Sequence, residues 1–345
     1  MRWLGCAFFL CLFGVLTPAM AGSWGYSGQK TPSEADLLPH PQDSVTYSEQ
    51  WSGTVVFAPD HVLNFNLIHS NLTTKSEKGV FRVEYRTPGN TAQEEQQRCT
   101  IVAQSNPVKL LCGSAVLIPS LSEIALVAPG SKLSVTLKMT NLAKPFRPKS
   151  GRLNTPKDAT DFYDFWLVVP RGKVIAKVNG VALFGYGSFD HSYTNTSFHN
   201  ISRHWLRTTY HDKEISVLFA VNALADGRTT SWASIATDEA NLSTADLTAS
   251  LGAPLADPDK KGYFTPQSLS LDGPDGFSLS LPELRLKNKS DMLAGLNRME
   301  AFVVRRFSDP MRYSTEGEAK ILWNAGGKPT VSTRTVTVVV KQMNP

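Results

Sequence analysis

Alternation of apolar and polar residues, rather than a helical repeat, runs through most of the chain. It is clearest in residues 331–345, where Val336, Val338 and Val340 fall on one face and Thr335, Thr337 and Val339 on the other, because strand side chains repeat every two residues. Residues 53–58 and 62–68 read as two more strands, the second setting Leu63, Phe65 and Leu67 against Asn64 and Asn66. Further strands are predicted at 81–85, 99–103, 108–112, 132–139, 165–169 and 174–183. Turn signals separate them, notably Pro88-Gly89-Asn90, Pro129-Gly130 and Pro170-Arg171-Gly172. One helix is predicted over 290–307: Ser290 caps it, Asp291 favours its dipole, and Met292, Leu296, Met299 and Val303 keep helical spacing until Pro310 stops it. Residues 215–224 fit either a strand or a short helix. The pattern predicts a mainly β protein with one or two short helices. A strand as apolar as 331–345 needs a core beneath it and a neighbour at its edge, since unpaired N–H and C=O groups beside valines template association with other strands.

The first residues break the alternation. Residues 1–21 read as a secretory signal, with Arg2 as its positive region, an apolar run from Leu4 to Leu16, and the small-residue cleavage site Ala19-Met20-Ala21. Residues 22–50 are polar and turn-rich, carrying Pro32, Pro39 and Pro41, and are expected to form an extended leader. No later segment reaches the ~20 apolar residues of a spanning helix, so the expectation is an exported, soluble protein. Removing the signal would take away Cys6 and Cys11 and leave Cys99 and Cys112, which at that spacing in an oxidising compartment read as a disulfide. The formal net charge is +5, without clustered Lys and Arg, and gives no support to nucleic-acid binding.

Catalytic motifs are not evident. Trp24-Gly25-Tyr26-Ser27-Gly28 resembles the opening of the α-class carbonic anhydrases, but the His-x-His zinc pair of that family is absent from the histidines at 40, 61, 69, 191, 199, 204 and 211. There is no nucleophile elbow, no His-Glu-x-x-His helix, no phosphate-binding loop and no pair of Cys-x-x-Cys sequences. Asp161 and Asp164, beside Phe162, Tyr163, Phe165 and Trp166, read as partners at a strand start rather than as an acid–base pair. No catalytic residue, metal or cofactor is expected. Asn71, Asn195, Asn200, Asn241 and Asn288 begin Asn-x-Ser/Thr sequons, a short pattern that a chain rich in these residues also meets by coincidence. Residues 184–212 gather Tyr186, Phe189, Tyr193, Trp205 and Tyr210 among four histidines. Such aromatics stack on sugar faces in concave sites, which makes these five a candidate glycan-binding set, and they equally fill β cores.

The order of segments resembles the kappa-class pilins of the chaperone–usher pathway. Residues 106–118 resemble an early strand pair of that family, Phe165-Trp-Leu-Val-Val-Pro with Lys173-Val-Ile-Ala-Lys-Val-Asn-Gly-Val-Ala-Leu-Phe-Gly-Tyr its central hairpin, and Asp291-Met-Leu-Ala-Gly-Leu-Asn-Arg with Met311-Arg-Tyr-Ser-Thr-Glu-Gly its late helix and following strand. The resemblance implies an incomplete immunoglobulin-like β-sandwich over residues 51–345, with an inserted subdomain around 184–260. It further implies a final strand supplied by a partner chain, a form of β-augmentation. Val336, Val338 and Val340 would then line the open groove, and Val55 and Phe57 would sit on the strand donated to a neighbour. The expected function is a non-enzymatic fimbrial subunit, minor or at the tip, secreted through the periplasm to the cell surface. Its expected partners are a periplasmic chaperone, the outer-membrane usher, other fimbrial subunits and a host glycan receptor. Two alternatives stay open, a self-contained secreted lectin-like sandwich and a secreted hydrolase without a recognisable site.

Overall fold

The strands fall into two groups along the chain, and each group curls into an antiparallel sheet, apart from two short strands of the second group, 254–256 and 264–266, which pair only with each other. The computed structural model describes residues 32–58, 61–72, 76–148, 151–154, 160–224, 228–245, 247–293, 305, 309–325 and 327–343. The first group is β1 (Ser48–Ala58), β2 (His61–Ser70), β3 (Gly79–Arg86), β4 (Gln93–Cys99), β5 (Val102–Ser105), β6 (Val108–Cys112), β7 (Ala115–Pro119), β8 (Glu123–Ala128), β9 (Val135–Asn141), β10 (Arg152–Asn154), β11 (Phe162–Val178) and β12 (Val181–Thr194). The second is β13 (Ser202–His211), β14 (Ser216–Leu224), β15 (Thr229–Ala236), β16 (Asn241–Thr244), β17 (Thr248–Leu251), β18 (Pro254–Ala256), β19 (Phe264–Pro266), β20 (Leu269–Asp272), β21 (Ser278–Leu281), β22 (Arg285–Asp291), β23 (Met311–Ala325) and β24 (Lys328–Gln342). The mainly β, sandwich-like class is found, with short helical turns among the described residues at Glu34–Leu37, Phe198–Ile201 and Pro274–Gly276.

The first sheet runs β4-β3-β2-β1-β12-β11-β9-β8-β7-β6-β5, with β10 added on β11. Its concave face buries Trp51, Val55, Leu63, Phe65, Leu67, Val83, Leu126 and Met139 in one core, each large side chain contributing ~2 kcal/mol of burial. Gly53 is required there, because the Phe65 ring lies 2.1 Å from where a Cβ would stand. The curl brings the ends of the sheet together, and the Cys99–Cys112 disulfide staples β4 to β6 across that seam. Gln97 supports it by donating from Nε2 to the Cys112 carbonyl at 2.7 Å.

The second sheet runs β16-β15-β14-β13-β24-β23-β21-β20-β17, with β22 on β23. Val336, Val338 and Val340 fill its core with Val217, Phe219, Leu271 and Tyr313. A third cluster joins the two units: Leu153, Tyr163, Phe165 and Leu167 of the first meet Ile201, Leu218, Leu224 and Trp232 of the second. Polar bridges fix their relative position. The Arg171 guanidinium of β11 donates to the Asp212 and Lys213 carbonyls and to Ser216 Oγ, pairs with Asp238 at 2.8 Å, and stacks on Tyr186.

Several expectations are corrected at this level. The valine strand finds its neighbours in its own chain: β24 pairs with β23 from Lys328 to Gln342 and with β13 over Val338–Gln342. Val55 and Phe57 lie on β1, which is hydrogen-bonded on both sides, to β2 and β12, so this strand is a sheet centre rather than a donated arm. Residues 184–260 are not an excursion from one sheet, since they complete β12 and then open the second sheet. Ser290, the predicted cap, lies within β22, which ends at Asp291, Asp291 Oδ1 accepts from the Leu293 N–H at 2.8 Å, and residues 294–304 and 306–307 of the 290–307 prediction lie outside the described residues, as does 1–21. Residues 216–224 form β14, settling that ambiguity as a strand. The leader is not loose from Pro32 onward: Leu37 is buried in the first core and its carbonyl accepts from Trp51 Nε1 at 3.0 Å.

Candidate functional site

Because strand side chains alternate, the strands whose apolar residues fill each core turn a polar row toward the opposing sheet. Between these two outer faces lies a cavity of about 530 Å³. From the first sheet, β1 supplies Gln50, Ser52 and Thr54, β2 supplies Asn64 and Asn66, and β3 supplies Arg82, Glu84 and Arg86. Tyr163, Phe165, Asp190 and Ser192 continue this wall. From the second sheet come Trp205, Arg207, Asn222, Trp232, Arg312 and Lys341. Lys341 belongs to the same strand as the buried valines, one residue beyond Val340, and so points to the other face.

The site is electropositive. Five cations, Arg82, Arg86, Arg207, Arg312 and Lys341, share it with two acids, Glu84 and Asp190. Arg207 Nη2 meets Asp190 Oδ2 at 2.6 Å across the two sheets, and Glu84 is held between Arg82 and Arg86. Among the described residues no ion pair engages Arg312 or Lys341. Burial and the nearby Arg86 lower the Arg312 pKa. Lys341 is accessible to water in the cavity yet surrounded by protein atoms; desolvation, then Arg312 and Arg207, bring its pKa down to about 8. Burial raises that of Tyr163, which keeps the phenol neutral.

Two buried polar groups on this wall have no partner within the protein: both side-chain atoms of Asn222, a residue 1% exposed, and Nε1 of Trp205. An unpaired buried donor or acceptor costs about 1–3 kcal/mol, and native structures leave few of them. A ligand with an oxygen or hydroxyl at this point would satisfy them. Aromatic rings beside them (Tyr163, Phe165, Phe198, Trp205 and Trp232) supply flat apolar contact, with Tyr163 and Trp205 edge to face at 5.0 Å and Phe165 stacked on Trp232 at 5.1 Å.

The five candidate glycan residues do not share one surface. Phe189 and Tyr193 are buried in the first core, Phe189 against Phe65 and Tyr193 against His40. Tyr186 lies under Arg171, and Tyr210 donates to Asp212 at 2.8 Å. Trp205 alone of the five lines the cavity. Arg207, Asn222, Arg312 and Lys341 were not singled out by motif, and the signal that could have found them is the polar half of the alternating strands, which reads by default as a solvent face. A separate group, His40, Glu49 and His191, offers donor atoms within 4.8 Å of one another on the inner side of the first sheet and is able to hold a metal.

No protein-family model and no curated protein matches the chain. Solved structures do. An AttH protein from Nitrosomonas europaea is similar over 91% of this chain and 98% of its own, at TM-score 0.53 and 9% identity. CghA, solved with Sch210972, is similar over 87% and 89%, at TM-score 0.55 and 9% identity. Kievitone hydratase from Nectria haematococca is similar over 94% and 98%, at TM-score 0.50 and 13% identity. None of the three is a fimbrial subunit, and enzymes stand among them. The expectation of a non-enzymatic fimbrial subunit is therefore corrected: the segment order that resembled a pilin is the order of strands in two curled sheets, an architecture shared along nearly the whole length of these proteins.

Proposed function

We propose that this chain is an enzyme whose site is the cavity between the two sheets, acting by acid–base chemistry on an apolar, unsaturated molecule that carries an anionic or enolisable oxygen. The observation that carries this reading is the convergence, on one wall, of the unpartnered Asn222 amide and Trp205 N–H with Arg207, Arg312 and Lys341. A concave pocket of this size that combines aromatic contact with convergent polar groups is a common form of small-molecule site, and this one is more polar than most. The aromatic rings would hold the body of the substrate, and Asn222 and Trp205 would fix its oxygen. Arg207 and Arg312 would then stabilise negative charge developing on that oxygen, in a setting where such interactions are strengthened by exclusion of water. Lys341, with its pKa lowered to about 8, has both protonation forms available near neutral pH and would give or take the proton at the reacting carbon or oxygen. Addition of water across a conjugated double bond, or its reverse, fits this arrangement. The similar structures include a hydratase and a protein solved with Sch210972, which supports a small organic substrate, and the disulfide suits an oxidising compartment.

The test is incubation of the purified chain in D₂O with a panel of α,β-unsaturated phenols and carboxylates, followed by mass spectrometry and proton NMR. Deuterium incorporation or addition of water is expected on at least one compound, with a loss of ~10²-fold or more in Lys341→Met. Neither exchange nor turnover on any panel member would overturn the reading.

A further inference from the structure

Inside the first sheet, on the face away from the cavity, three residues from distant parts of the chain meet. His40 comes from the leader, Glu49 from β1 and His191 from β12. Their union follows from pairing: β1 and β12 are neighbours with Glu49 opposite Tyr193 and Trp51 opposite His191. The leader lies across this end of the core, with Leu37 buried in it. Glu49 Oε1 is 2.8 Å from His191 Nε2 and 3.1 Å from His40 Nδ1. Glu49 and His191 are fully buried, while the His40 side chain is 26% accessible.

We propose that His40, Glu49 and His191 form a three-ligand site for a divalent ion of the zinc class. Two imidazoles and a carboxylate are a donor set that zinc takes, leaving a fourth position for water or another group. Ligand atoms on a tetrahedral zinc stand ~3.3 Å apart when each metal bond is about 2.0–2.1 Å. The two separations from Glu49 Oε1 are a few tenths of an ångström shorter and all three ligand atoms lie within 4.8 Å of one another, so a small rearrangement of the cluster admits an ion. The surroundings are those of a held ligand set. His191 Nδ1 faces the Asp36 carbonyl at 2.9 Å, the outer hydrogen bond that fixes the tautomer of metal-bound histidine and turns Nε2 inward. The second oxygen of Glu49 accepts from the Tyr47 hydroxyl. Trp51 and Trp166 stack on the two sides of His191, at 4.7 and 5.3 Å, and His40 stacks on Tyr193 at 4.6 Å, so both rings are held in orientation. Both ring nitrogens of His191 face protein oxygens, Nδ1 the Asp36 carbonyl and Nε2 the Glu49 carboxylate. Access runs past His40, the one partly exposed member. The bound ion would tie the leader to β1 and β12.

The purified chain, stripped with a chelator and dialysed, is to be titrated with Zn²⁺ in a calorimeter and with Co²⁺ by visible absorption. One ion per chain and the intense bands of tetrahedral cobalt are expected. His40→Ala, which changes a partly exposed leader residue and leaves the sheet core intact, should weaken binding at least about tenfold and alter the cobalt spectrum, and Tyr47→Phe should weaken it ~10-fold through the outer hydrogen bond. Glu49→Gln and His191→Asn should abolish it; if either fails to fold, the His40 and Tyr47 variants decide. His61→Ala serves as the control that must leave binding unchanged. A folded wild-type chain that takes up neither ion, or a His40→Ala variant with unaltered affinity and spectrum, would overturn the proposal.

Discussion

Asn222 holds the plainest tension between stability and use. Its amide is buried with no partner in the protein, a cost that a ligand would relieve. Replacing it with the similarly sized apolar Leu removes that cost, so Asn222→Leu is expected to leave thermal stability unchanged or raise it by about 1 kcal/mol, while weakening binding of an anionic aromatic probe such as 8-anilinonaphthalene-1-sulfonate. Thermal melts and fluorescence titration of the same sample check both halves. Lys341 makes a second residue-scale prediction. Its pKa is lowered to about 8, so the ammonium that attracts an anion is present below that pH and lost above it. Probe affinity should fall as pH rises through about 8, and Lys341→Met should remove this step and weaken binding about tenfold at pH 7, the loss of one charge-assisted contact. The sign for stability is opposite: the charged lysine is disfavoured in the folded state, so its destabilisation is full below pH 8 and is relieved as pH rises toward its unfolded value.

At the scale of elements, the alternating strand did two jobs and the sequence made only one visible. Leu63, Phe65 and Leu67 announced a core, and so did Val336, Val338 and Val340; each row is buried. The intervening Asn64, Asn66 and Lys341 carry no mark that separates a cavity wall from solvent, because a polar row looks the same in either setting. Pairing partners were equally hidden. β13 and β24 are separated by more than a hundred residues yet adjacent, and a valine strand shows its need for an edge partner without showing which chain supplies it. The metal-capable trio was illegible for the same reason, its members lying at positions 40, 49 and 191, with no short spacing to find. The cysteines were legible because few were present and they lie 13 apart, and their effect is on the seam of the first sheet. Replacing both by Ser should lower stability by ~3 kcal/mol through the freed loop, measured by urea denaturation, with the greatest loss of amide protection in β4 and β6 by hydrogen exchange.

For the whole molecule, the site exists because two filled sheets are held at a fixed separation. Arg171 is one of the bridges between them, fully buried and bonded from β11 to backbone and side-chain acceptors of the second unit. Arg171→Met should therefore cost roughly 3 kcal/mol by leaving those acceptors unpaired, seen as a lower denaturation midpoint. It should also weaken probe binding although Arg171 does not line the cavity, because the two walls lose their registry. A cavity that formed merely as a packing gap would show no such coupling. The most direct test of the account is fluorescence titration of the purified chain with 8-anilinonaphthalene-1-sulfonate, comparing wild type with Asn222→Leu and Lys341→Met, all confirmed folded by thermal melts. Saturable binding of one probe per chain, weakened in both variants, is the predicted result; equal binding in all three proteins, or none in wild type, would contradict the assignment of the inter-sheet cavity as the functional site.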